Sequence, residues 1–164
     1  MKRLFAFLIS VFLLTSTACA NGSRGIKSSD KGDLSDMKIS IQITSDNGKS
    51  ELTATLVDNS SATAFYELLK KGPLTVDMHD YGNFEKVGPL GTKLPRNDTQ
   101  ITTQAGDIIL YQGNQITIYY DTNSWNFTRL GKVVSTSSTT SITQAELKKI
   151  LGKGDVTAVF SVME

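Results

Sequence analysis

A few side chains in this chain have chemistry suited to a binding or catalytic site. His79 is the single histidine, and imidazole is the side chain that changes charge near neutral pH. Glu85 and Lys86 follow it as neighbours of opposite charge. The alternation around His79 predicts that it lies on the solvent-exposed face of a strand. Glu85 either binds a ligand or forms an ion pair that anchors a loop.

Aromatic and polar residues further along the chain extend this set. Trp125 is the single tryptophan and lies in the segment Asn123–Phe127, which we predict to be a turn. It either covers the protein core or forms the wall of a groove, where rigid aromatic side chains offer contact area at low entropic cost. We predict a ligand-binding face formed by residues 79–98 and 123–127. Its candidate residues are His79, Glu85, Arg96, Tyr111, Asn123 and Trp125.

The sequence lacks the motifs of common enzymes and metal sites. Serine and threonine are abundant, yet there is no Gly-x-Ser-x-Gly elbow and no recognisable Ser–His–acid set. One cysteine and one histidine are too few for a thiolate or histidine-rich metal site. No cofactor fingerprint is visible either. We therefore assign no catalytic residue, no metal and no cofactor.

The N-terminus has the pattern of an export signal. Basic residues at positions 2 and 3 precede the apolar run Leu4–Leu14, which is shorter than the roughly 20 apolar residues of a membrane-spanning helix. Small residues then precede Cys19, the single cysteine, as in a bacterial lipobox. We predict cleavage before Cys19 and its lipidation, giving a membrane-anchored extracytoplasmic lipoprotein that faces the periplasm in a Gram-negative cell. An ordinary signal cleavage after Ala20 is the alternative.

Composition divides the chain into three parts: a signal peptide at 1–18, a flexible tether at 19–36 and one domain at 37–164. The tether has almost no large apolar side chains and cannot offset its chain entropy by burial. Removing residues 1–18 leaves 15 basic and 16 acidic residues, a net charge of −1. Such a balance provides no basic surface for phosphates, so nucleic acid is not an expected partner.

Apolar residues alternate with polar ones in most of the domain, which indicates strands. The first two strands contain Ile39 to Ile43 and Leu52 to Leu56, with a hairpin turn at 46–48 between them. Asn59-Ser60-Ser61 supplies helix N-cap residues, and Thr143 with Glu146 forms a capping box for a second helix. Residues 81–105 have weak periodicity and are predicted to be the longest irregular region.

The element order is two strands, a helix, a strand, a long loop, three strands, a helix and a strand. A strand-rich chain without a repeated βαβ unit favours a mainly β fold. We predict a closed antiparallel β-barrel of about eight strands with two capping helices. Closure removes free strand edges, so we expect a monomer.

Four segments of the domain carry a family resemblance: residues 52–59, 80–87, 105–111 and 130–133. Together with the element order, they resemble the bacterial cyclophilin-like barrel family. The resemblance implies the barrel fold over most of residues 37–164. Cyclophilins proper isomerise X-Pro bonds with an arginine on a central strand beside a hydrophobic pocket. The comparable strand here, Leu74 to Tyr81, contains no arginine.

We therefore expect a non-catalytic, cyclophilin-like lipoprotein that binds a peptide or small ligand or serves as an accessory protein. A divergent peptidyl-prolyl isomerase is the alternative. A third hypothesis is an accessory domain of a flavin or redox partner, since relatives resemble companions of flavin proteins.

The lipoprotein interpretation predicts the chemistry of the mature N-terminus. Mass spectrometry of the protein from a bacterial membrane fraction should show a chain that begins at an acylated Cys19. Replacing this residue (C19S) should release the protein from the membrane, because the acyl chains supply the anchoring. An unmodified chain that begins at Asn21 would contradict lipidation.

Overall fold

The computed structural model of the protein describes residues 37–134 and 141–163. The predicted signal peptide, the predicted lipidation site Cys19 and the predicted tether lie outside these residues. The described part contains two helices, α1 (Ser60–Leu69) and α2 (Gln144–Leu151). Its nine strands are β1 (Lys38–Ser45), β2 (Gly48–Leu56), β3 (Leu74–Tyr81), β4 (Glu85–Pro89), β5 (Thr99–Thr102), β6 (Asp107–Tyr111), β7 (Gln115–Tyr119), β8 (Ser124–Val134) and β9 (Val156–Val162).

All nine strands belong to one antiparallel sheet that closes in a ring. The strand order is β2-β1-β9-β3-β4-β7-β6-β8-β5, and a further pairing joins β2 to β8. Eight strands therefore form the ring, while β5 pairs with β8 outside it. The prediction of a mainly β, closed antiparallel fold is confirmed, with one strand added to the expected eight.

Alternation along each strand separates an inner apolar face from an outer face. Ile39, Ile41 and Ile43 of β1 are buried inside the ring, as their spacing predicts. Both helices pack on this core: Phe65 of α1 contacts Phe160 of β9 edge to face, with ring centroids 5.8 Å apart. Burying one face of every strand fixes the register of the whole ring.

The helix ends follow the predicted capping chemistry. The Asn59 side chain accepts a hydrogen bond from the Ala62 amide at 2.8 Å, which begins α1. At α2 the Thr143 hydroxyl accepts from the Glu146 amide, and the Glu146 carboxylate accepts from the Thr143 amide at 3.0 Å. These bonds satisfy amides that would otherwise lack helical partners.

Two expectations about irregular segments are wrong. Residues 81–105, predicted to be a long loop, contain the short strands β4 and β5. Residues 123–127, predicted to be a turn, include the beginning of β8 at Ser124, so Trp125 lies on a strand and pairs with Ile101 of β5. Strands β4 and β5 escaped prediction because they are short. In addition, β4 contains Gly88 and Pro89, which weaken the alternating pattern.

The ring closes at a glycine. Gly131 of β8 pairs with Leu56 of β2 on one side and with Ile108 of β6 on the other. A Cβ atom on Gly131 would lie 2.6 Å from the Thr55 carbonyl oxygen, so the two backbones approach too closely for any side chain.

Adding a methyl group at the closure should therefore strain it. We expect G131A to lower the free energy of unfolding by about 1–3 kcal/mol, the range typical of overpacked sites. That loss corresponds to a fall in Tm of roughly 4 °C or more, measurable by circular dichroism. The exposed K49A on β2 serves as the control and should change Tm by less than about 2 °C. An unchanged Tm in G131A would show that β2 and β8 can move apart to accommodate a methyl group without loss of stability.

Candidate functional site

A cavity of about 430 Å³ lies against the outer face of strands β3, β4, β7, β6 and β8. Because side chains alternate along a strand, each strand contributes every second residue to this face. Register brings these contributions together: His79 pairs with Val87, and Glu85 pairs with Tyr119. The lining residues are His79, Tyr81, Glu85, Val87, Tyr111, Gln115, Tyr119, Asn123, Trp125 and Phe127.

Aromatic side chains form the floor of the cavity. Tyr119 stacks on Phe84 with ring centroids 6.0 Å apart and lies 5.6 Å from the ring of Phe127. Tyr111 contacts Phe127 edge to face at 6.4 Å. These rings belong to a second apolar cluster, separate from the core inside the ring. Mutual packing of the rings restricts their movement, so the floor is held in place before any ligand arrives.

Two exposed aromatic residues stand above this floor. Trp125 is 60% exposed and Tyr81 is 58% exposed. Trp125 therefore does not cover the core, and of its two interpretations only the wall of a groove agrees with the structure. Strand β5 holds it from behind through the pairing with Ile101. Large apolar groups left in water at the mouth of a cavity mark a surface suited to a partner or ligand.

The backbone of Asn123 is fixed by one buried threonine. The Thr103 amide donates to the Asn123 carbonyl at 2.8 Å, and the Asn123 amide donates to the Thr103 hydroxyl at 2.9 Å. Thr103 follows directly after β5, and Asn123 directly precedes β8. These reciprocal bonds position the Asn123 side chain at the cavity edge.

Glu85 is the buried charge of the cavity. The residue is only 7% exposed, and its Oε2 atom has no hydrogen-bond partner among the described residues. Burial raises the pKa of Glu85 above its ordinary value, an effect that the neighbouring Tyr119 hydroxyl and the His79 imidazole only partly offset. An acceptor without a partner is costly to bury, so the Glu85 carboxylate keeps an unsatisfied hydrogen-bonding capacity beside the cavity.

Tyr119 is the nearest polar neighbour of Glu85. Burial and then the Glu85 carboxylate raise the pKa of Tyr119, so its hydroxyl keeps its proton at neutral pH. The hydroxyl is thus a donor beside a carboxylate.

Lys86, the next residue along β4, faces the opposite side of the strand. Its ammonium is fully buried and donates to the Asp80 carboxylate at 2.8 Å and to the carbonyls of Gly154 at 2.6 Å and Gly152 at 3.3 Å. Although burial acts to raise it, hydrogen bonds from Lys86 and Tyr120 hold the pKa of Asp80 below its ordinary value. The ion pair at this position therefore joins Lys86 to Asp80, whereas Glu85 forms no salt bridge among the described residues.

A second depression, of about 750 Å³, lies beside the Lys86 network and is lined in part by Asp80 and Tyr120. The buried ammonium there already has three acceptors for its three protons. The network is saturated internally and offers a ligand no buried free polar atom. The cavity around Glu85 is therefore the better candidate site.

A further groove adjoins the Glu85 cavity. It is lined by Arg96, Asp98, Thr99, Gln100, Tyr111, Gln112, Trp125 and Asn126. Tyr111 and Trp125 line both depressions and so form the ridge between them. Arg96 is exposed and forms an ion pair with Asp98, whose other oxygen accepts from the Thr128 hydroxyl at 2.5 Å.

The structure places five of the six candidate residues around one cavity. These are His79, Glu85, Tyr111, Asn123 and Trp125. Arg96 instead lies in the adjoining groove. The predicted face of residues 79–98 and 123–127 includes Tyr81 and Phe127, although neither is among the six candidates, and Tyr119 of the floor lies outside that face. Counting alternate residues from the inward Met78 of β3 and Ile118 of β7 would have assigned Tyr81 and Tyr119 to the outer face.

Other kinds of site are not evident in the described part of the chain. Residues 37–134 and 141–163 contain no cluster of three or more histidine, cysteine, aspartate or glutamate side chains arranged to hold a metal ion. No helix among those residues is both long and apolar enough to cross a membrane.

The ring of antiparallel strands, the two packed helices and the outer-face cavity define a protein of the cyclophilin-like class. The family model described as the Cyclophilin-like family matches residues 44–161. The chain belongs to this family.

A solved structure supports the fold. The chain is similar to a hypothetical protein of Archaeoglobus fulgidus whose solution structure is known, with a TM-score of 0.50 and 13% sequence identity. The similarity covers 75% of this chain and 94% of the archaeal one. No curated protein matches the sequence significantly.

The environment of Glu85 predicts a pH-dependent stability. Because the pKa of Glu85 is higher in the folded state, its ionisation destabilises the fold as pH rises from the unfolded value of about 4.3 through the raised folded value. The variant E85Q lacks this loss. At pH 8 we expect E85Q to have a free energy of unfolding higher than that of the wild type by an amount on the order of 1 kcal/mol, and therefore a higher Tm.

The same comparison at pH 4, where the wild-type carboxyl is protonated, should show a much smaller difference. The matched change E67Q alters an exposed carboxylate on α1 and should give a small difference at both pH values. A lower Tm for E85Q at pH 8 would show that the ionised carboxylate is stabilised by its surroundings.

Proposed function

We propose that the protein is a non-catalytic binding protein that takes a peptide or small ligand in the Glu85 cavity. The observation that supports this function is the exposure of Trp125 and Tyr81 above an ordered aromatic floor. Burying such aromatic surfaces is the main source of affinity at small-ligand and peptide sites. The free Oε2 atom of Glu85 would add a directional polar contact.

The relation between the two adjoining depressions favours an extended ligand. Tyr111 and Trp125 line both of them, so a peptide lying across this ridge contacts both depressions at once. Arg96 and Asp98 on the far side offer paired polar groups to a peptide backbone or side chain. A small compound would fill the Glu85 cavity alone.

The side chains around the cavity favour binding over isomerase catalysis. Isomerisation in cyclophilins proper depends on an arginine beside the proline pocket, and the lining residues of this cavity include none. Arg96 lies in the neighbouring groove, where it pairs with Asp98. The outward residues of β3 at the cavity are instead His79 and Tyr81.

We further propose that the binding domain acts outside the cytoplasm, attached to a membrane through lipidated Cys19. The support is the basic start, the short apolar run and the single cysteine after small residues. Residues 20–36 would serve as a tether between the anchor and the domain. A tethered monomer could then meet ligands in the surrounding compartment without leaving the membrane.

Trp125 provides a direct measurement of binding, because it is the single tryptophan and lies at the cavity. Titrating the full chain with a random-sequence hexapeptide mixture should shift its emission to shorter wavelength in a saturable way, as the indole leaves water. The variant Y111A removes the ridge and should weaken the apparent affinity about tenfold or more, equivalent to about 1.4 kcal/mol.

Y66A is the matched control, since Tyr66 on α1 is also a partly buried tyrosine and lines neither depression. It should leave the titration unchanged. An unaltered emission spectrum at saturating peptide would contradict the binding function. A proline-peptide isomerisation assay completes the test: acceleration that survives repurification and disappears in Y111A would instead support the divergent isomerase.

A further inference from the structure

The electrostatic state of Glu85 sets it apart from the other buried charges. In residues 37–134 and 141–163 three charged side chains are buried: Glu85, Lys86 and Asp107. Lys86 pairs with Asp80, and Asp107 pairs with both Arg129 at 3.0 Å and Lys132 at 3.3 Å. Glu85 has no salt bridge in this part of the protein. It is a buried carboxylate without a positive partner.

The cavity supplies little counter-charge to Glu85. Its lining residues contain neither lysine nor arginine, and His79 is the single basic side chain among them. His79 is exposed and forms no salt bridge with Glu85. Isolated charges are expensive to bury, and a titratable residue buried at a cavity without a charge partner is a candidate for a functional role.

The aromatic residues favour the same ligand charge. The faces of tryptophan and tyrosine rings attract cations, and Trp125, Tyr81 and Tyr111 stand around the carboxylate. A guanidinium is particularly well matched, because it can stack on a ring while its N–H groups donate to a carboxylate. An anionic ligand would meet only repulsion from Glu85.

We propose that the cavity is specific for an organic cation that carries N–H donors, a guanidinium or an ammonium, and that the Glu85 carboxylate accepts its hydrogen bond. This inference rests on the proposed binding function and adds the chemistry of the ligand. The cationic group belongs either to an arginine or lysine side chain of a peptide or to a free amine or guanidine. Aromatic faces hold the group from the sides, and the carboxylate fixes its position.

A protonated Glu85 would favour a different class of ligand. A neutral carboxyl would donate its own proton to a carbonyl oxygen of a neutral ligand, and the ligand charge would then be immaterial. Binding by an ionised Glu85 and binding by a protonated Glu85 can be distinguished with two probes of the same shape and different charge. Arginine and citrulline side chains are nearly isosteric, but only arginine is charged.

The test follows Trp125 emission in the full chain at pH 7.5 while acetyl-Gly-Arg-Gly-amide or acetyl-Gly-citrulline-Gly-amide is added. We expect the arginine peptide to bind at least tenfold more tightly than the citrulline peptide, as for a charge-assisted hydrogen bond. In E85Q this preference should fall to less than about threefold, because the charge is lost while the shape is kept. The control E67Q should retain the full preference.

A third probe, butylguanidinium, separates the two sources of the cation. If it binds as tightly as the arginine peptide, the ligand is a free guanidine or amine; weaker binding assigns the cation to a peptide. Equal affinity for the arginine and citrulline peptides would overturn the cation specificity and leave the binding function intact. Binding of the random hexapeptide mixture, combined with no response to the arginine peptide at concentrations up to about 10 mM, would also overturn the cation specificity and leave the binding function intact.

A preference for the arginine peptide that persists undiminished in E85Q would also overturn the assignment of Glu85. Circular dichroism of each variant checks that the fold is kept. Failure of every probe, the hexapeptide mixture included, would remove the binding function itself.

Discussion

The close approach of β2 and β8 at Gly131 is the constraint on which the rest of the structure depends. Because the sheet closes there, each of the eight ring strands has one face inside and one face outside. The inner faces form the apolar core, and the outer faces of five strands become available for a cavity. Closure also ties these strands to one another in a fixed register, so the distances between outer side chains are set by the backbone.

Neighbouring residues of β4 show how this geometry divides structural and functional roles. Lys86 points inward and is saturated by Asp80 and two backbone carbonyls, so its charge contributes to the fold. Glu85 points outward, beside Tyr119, and keeps an oxygen without a partner. A single strand thus carries one ionic group whose hydrogen-bonding capacity the protein satisfies and one that keeps an oxygen without a partner. Their adjacency in sequence hides this difference.

Local patterns predicted much of the fold and less of the cavity. The alternation of Ile39, Ile41 and Ile43 and the capping box at Thr143 depend on nearby residues, and both are confirmed. Strand β5 escaped prediction because its four residues are mostly exposed and are held by pairing with β8. The free oxygen of Glu85 could not be inferred either, since its surroundings come from Tyr119 and His79 on other strands.

The position of β5 outside the ring has a consequence for how such a protein can evolve. Within the described sheet this strand pairs with β8 alone, yet it supports Trp125 and leads through Thr103 to Asn123. Changes in β5 and its flanking segments can therefore reshape the wall of the cavity while the eight closed strands keep their pairing. The wall around Trp125 and the pairing of the closed ring thus depend in part on separate stretches of sequence, so the first can change while the second is kept.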